Sequence, residues 1–113
     1  MKDFRLQCVV DSLSTFGENT KVAILSQLDR EGVSFTSEQF EIEKFCKVVT
    51  LFLGQWSDFI FLKITDEICA RSKKSLEDLG IGARANYIEH SALLIEVYLK
   101  MESLQQIERR ESP

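Results

Sequence analysis

A chain of 113 residues is the size of one domain, and 44% hydrophobic with 28% charged residues is a globular composition, not a disordered one. A net charge of −4 withholds the positive footprint that nucleic acid and anionic membranes require, which sets both aside as default partners. One proline, Pro113 at the last position, leaves long helices uninterrupted, and five thinly spread glycines are fewer turn residues than an all-β chain normally carries.

Helical spacing begins at once. From Asp3 to Phe16, residues Leu6, Val9, Val10 and Leu13 recur three and four apart and form one apolar stripe. Gly17 accepts positive φ and closes that helix, and Glu18, Asn19 and Thr20 supply the acidic and polar first turn of a second. This helix runs to Arg30 with Val22, Ile24, Leu25 and Leu28 facing inward, and Gly32 ends it. Thr36 with Gln39 matches a capping box, and Phe35 with Phe40 matches a hydrophobic staple. They predict a third helix from Ser37 to Leu53, with Phe45, Val48, Val49 and Phe52 on its buried side, closed by Gly54. A fourth helix is predicted from Gln55 or Trp56 to Arg71 or Lys73, with Trp56, Phe59, Ile60, Ile64 and Ile68 on one face and Phe61 and Leu62 widening it. A helix apolar nearly all round belongs at the centre of a bundle. The segment DFIFLKI also has the content of a buried strand, but the helical period continues into Glu67, Ile68 and Cys69.

Ser75 to Asp78 reads as a short capped turn, and Gly80 and Gly82 follow, so residues 74–83 form a hinge and the one candidate internal boundary of an otherwise single domain. The last helix is predicted from Ala83 to Arg109 and is the longest. One seam on it holds Tyr87, His90, Leu94, Val97, Met101 and Leu104, and a neighbouring stripe holds Ile88, Ala92, Ile95, Tyr98 and Leu99. A helix of ~27 residues is roughly 40 Å long, more than a domain with a radius of gyration of about 13 Å covers easily. Part of it is therefore expected to pack on the domain and part on another chain.

Reactive constellations are scarce. Cys8, Cys46 and Cys69 are odd in number, lack C-x-x-C spacing and sit in apolar surroundings, which points to buried thiols in a reducing compartment. The start MKDFRLQC carries charge within its first five residues and has no apolar core of signal-peptide length, and no apolar run approaches ~18 residues. A cytoplasmic protein with no membrane contact is the expectation. The single histidine, His90, has Asn86 and Leu94 one turn away, which supply neither an acid nor a second ligand. Glu38, Glu41 and Glu43 suit a solvated helix start better than acid/base work. Gly80-Ile81-Gly82 alone is no phosphate loop. Helices two and three could be read as a helix-turn-helix, but Glu38, Glu41 and Glu43 would then face phosphate. The basic run Arg71, Lys73, Lys74 suits a helix C-terminus.

The residues Asp11-Ser12-Leu13, Phe16-Gly17-Glu18, Val22-Ala23-Ile24, Leu28, Gly32-Val33, Phe45 and Leu53-Gly54 resemble the Nitrosopumilus output domain family, small helical domains of ammonia-oxidising archaea, over residues of about 7 to 70. Gln55-Trp56-Ser57 departs from the small residues the family tends to carry there, and residues 75–113 have no counterpart. The resemblance implies a regulatory output or adaptor role and brings no catalytic residues.

Together these readings predict an all-α bundle of four or five helices with a long C-terminal helix. They predict a non-enzymatic signalling or regulatory module without metal or cofactor, acting through protein contacts. A homodimer is expected through Tyr87, His90, Leu94, Val97, Met101 and Leu104, beside an unidentified signalling partner. The alternative is a helix-turn-helix-like regulator that touches DNA, with a basic surface from Lys44, Lys47, Arg71, Lys73 and Lys74.

Overall fold

The computed structural model describes residues 4–36, 38–82 and 88–111, with backbone alone over 102–111. All regular structure in these residues is helical and forms four segments. Helix α1 (Phe4–Ser12) runs on through a 3-10 turn at Leu13–Phe16, and α2 (Glu18–Arg30) follows. A central tract combines α3 (Ile42–Leu53), a 3-10 turn at Gly54–Trp56 and α4 (Ser57–Ser72), and α5 (His90–Glu111) closes the chain. The bundle is built around α4, which packs against α1 on one side and α5 on the other, while α3 bridges α2 and α5.

The corner between α1 and α2 forms as the sequence predicts. Gly17 has φ 97° and its N–H donates to the Ser14 carbonyl at 2.9 Å. The end of α2 is a Schellman motif: Gly32 N–H bonds to Asp29 O and Val33 N–H to Leu28 O, and Val33 and Leu28 are both buried. Ser75 and Asp78 cap one another, with Ser75 N–H on Asp78 Oδ2 at 2.9 Å and Asp78 N–H on Ser75 Oγ at 3.1 Å. That reciprocal pair holds the Asp78 carboxyl below its ordinary range, first through the Ser75 backbone bond.

The third helix starts later than its capping signals indicate. Thr36 accepts from the Phe40 N–H at 2.9 Å in a single turn, Glu41 is extended at φ −113° and ψ 111°, and α3 begins at Ile42. The rings explain the delay. Phe35 and Phe40 stack at 5.6 Å as a staple would, but Phe40 also meets Phe45 at 5.7 Å and Tyr98 at 5.6 Å. Drawing Phe40 into this aromatic layer between α3 and α5 is incompatible with a helix that begins at Thr36.

The C-terminal helix is also shorter than expected. It starts at His90, not Ala83, and has 22 residues, whereas the longest helical tract is the central one of 31 residues, 42–72. Residues 83–87 lie outside the described residues. By length and composition the central tract is apolar enough to cross a membrane. It is interrupted at Gly54, and Phe45, Cys46, Val49, Ile60, Phe61, Ile64 and Ile68 along it lie in the core, as the central helices of a bundle do.

One hydrophobic cluster extends from Cys8 to Met101 and includes Leu79 and Ile81 from the connection between α4 and α5. Lys100 Nζ donates to the Leu79 carbonyl at 2.7 Å and ties that connection to α5. Arg5 is 6% exposed; its Nη1 donates to the Tyr98 carbonyl at 2.8 Å and its guanidinium lies 4.2 Å from the Tyr98 ring, so α1 is joined to α5 by a buried cation over an aromatic face. On the surface, Arg71 on α4 donates to Asp11 on α1 at 2.7 Å, which lowers the Asp11 pKa and raises that of Arg71.

Candidate functional site

The inward face of α4 is Ser57, Ile60, Phe61, Ile64, Thr65 and Ile68, an i, i+3, i+4, i+7 stripe. Trp56 and Phe59 are rotated off that stripe. They are 55% and 53% exposed, and Phe16, at the end of the first 3-10 turn, is 38% exposed. The three rings form a corner of their own. Trp56 and Phe59 stack at 5.7 Å with planes 28° apart, and Phe16 meets them edge-on at 6.3 Å and 6.2 Å. Such pairs contribute about 0.5–1.5 kcal/mol each beyond area burial.

Two bends bring these rings together. At Gly17 the backbone turns so that Phe16 faces α4. At Gly54, φ 59° and ψ −131° break the central tract, the Ser57 hydroxyl donates to the Gly54 carbonyl at 2.7 Å, and Trp56 emerges from the turn beside Phe59. From ring areas of 150–250 Å2, the triad presents roughly 300 Å2 of aromatic surface to solvent. At about 25 cal/mol per Å2 that surface forgoes about 7 kcal/mol of burial, available in gross terms to whatever covers it. A contiguous patch of this size is at the lower end of those that mark contact surfaces on monomers.

The spacing of apolar residues placed several of these side chains incorrectly. Val22, Phe52, Trp56 and Phe59, expected inward, are 64%, 44%, 55% and 53% exposed, and Leu51 is 79% exposed. A helix apolar on nearly every side carries no directional signal. The small polar residues Ser57 and Thr65, one heptad-plus-one apart on the inner stripe, were the cue to its true orientation.

The expected C-terminal seam is placed differently. Leu94 and Val97 are 0% exposed and Met101 is 5%, all within the chain's own core. They are not available to a second chain, because α5 turns this face onto α4 and α3. Tyr87 lies outside the described residues, and the Leu104 side chain does as well. His90 is the first residue of α5 and is partly buried; its Nδ1 is buried and has no hydrogen-bond partner among the described residues. It lines an open cleft of about 360 Å3 with Gln55, Asp58, Phe61, Glu89 and Ser91, but no His–carboxylate pair is formed there.

A second cleft of about 330 Å3 is lined by Phe40, Glu41, Glu43 and Tyr98 beside Arg5, whose charge is already engaged with Tyr98. Glu38, Glu41 and Glu43 are exposed, the first two on the approach to α3 and the third in its first turn. Among the described residues no three His, Cys, Asp or Glu side chains are grouped to hold a metal ion. Residues 31–41 separate α2 from α3, well beyond the three- to four-residue turn of a helix-turn-helix. Of the cations proposed to face DNA, Arg71 is tied to Asp11 and Glu67. Burial pushes the Cys46 thiol up to about 12 and also raises that of the half-buried Cys69, which disfavours the reactive thiolate at both.

No protein-family model, curated protein or solved structure matches the chain.

Proposed function

We propose that the chain is a non-enzymatic helical interaction module of the output or adaptor kind, and that it docks through Phe16, Trp56 and Phe59. The observation that carries this reading is the triad itself: three mutually packed aromatic rings are held in solvent by two glycine bends, with Ser57 pinning one of them. Exposed Trp and aromatic anchors are the residues on which binding energy concentrates at protein interfaces. The resemblance of residues 7–70 to the Nitrosopumilus output domain family supports the same class of role, and the Phe16-Gly17-Glu18 corner that carries that resemblance is one edge of the triad.

The test pairs co-purification with titration. Wild-type chain and a Phe59→Ser variant serve as baits in the native host, and a protein retained by the wild type alone is then purified and titrated against both. Trp56 is the chain's only tryptophan, so its emission reports on the corner directly. Docking shifts that emission to the blue and is weakened about tenfold or more in Phe59→Ser, the loss of one anchor side chain at a contact. A partner that binds both forms equally and leaves Trp56 emission unchanged refutes the reading.

A further inference from the structure

We draw no further inference here: the strongest candidate, the exposed aromatic corner of Phe16, Trp56 and Phe59 where the first 3-10 turn meets the start of α4, belongs to the docking surface already proposed, and nothing in the structure shows what covers it.

Discussion

Replacing Gly54 by alanine separates the conformational demand of the bend from every contact around it. Gly54 has φ 59° and ψ −131°, a combination that L side chains rarely adopt, and a Cβ built there meets nothing within 4 Å. There is no clash to relieve, so the whole effect is backbone strain, of order 1–3 kcal/mol. At about 4–5 °C per kcal/mol for a domain of this size, Tm should fall by roughly 5–15 °C. The assay is urea unfolding followed in parallel by far-UV circular dichroism and by Trp56 emission, since Trp56 is two residues past the bend. The expected result is a lower midpoint with the slope unchanged. One escape is open to the chain. Alanine is a better helix former than glycine by about 1 kcal/mol, and the tract could straighten into a continuous helix over residues 42–72. Straightening would rotate α4 relative to α3 and lift Ile60, Phe61 and Ile64 from the core that α3 shares, a loss of several buried side chains at about 1.5–3 kcal/mol each. Unchanged stability, or a gain in helicity at equal stability, would refute the account of the bend.

Leu94→Ala tests where the seam of α5 lies: at 0% exposure it should cost about 2–5 kcal/mol in the isolated chain, whereas Leu51→Ala, at 79% exposure, should stay within about 0.5 kcal/mol. A silent Leu94→Ala would return that residue to the surface and to the list of interface candidates. Cys46, held at about 12 in the folded chain against 9.0 for the free thiol, favours the neutral form on burial. The raised folded-state value contributes stability that is complete below 9.0 and is lost as pH rises toward about 12, so the alkaline decline in urea midpoint should be shallower in Cys46→Ala. Iodoacetamide followed by mass spectrometry should label the half-buried Cys69 before Cys8 or Cys46. Earlier labelling of Cys46 would contradict its burial.

Much of the local structure was legible because it is written in short-range chemistry. The Gly17 corner, the Gly32 stop, the Ser75–Asp78 cap and the helical character of DFIFLKI each depend on residues within one or two turns, and all four are observed. The start of α3 was misread for the same reason. The capping box at Thr36 and the staple of Phe35 and Phe40 are valid local signals, and the staple contact forms. Phe40 also meets Tyr98, which comes from the far end of the chain. No window of sequence around Thr36 contains that residue.

The candidate site was hidden by a related ambiguity. Seven large hydrophobic residues are exposed among the described residues. Their location was not readable. On α5, Leu94, Val97 and Met101 of the seam assigned to a partner belong to the core; at the start of α4 and the turn before it, Phe59 and Trp56 were assigned to the core and belong to the surface. Helical periodicity states that a residue shares a face with its neighbours three and four positions away. Which face turns inward depends on the bend at Gly54, on the positions of α1 and α5 around α4, and on one buried cation, Arg5, reaching Tyr98. Helix type, turn chemistry and total apolar content follow from composition and spacing, because those terms are local and additive. The division of apolar faces between core and solvent emerges only once distant helices compete for the same volume.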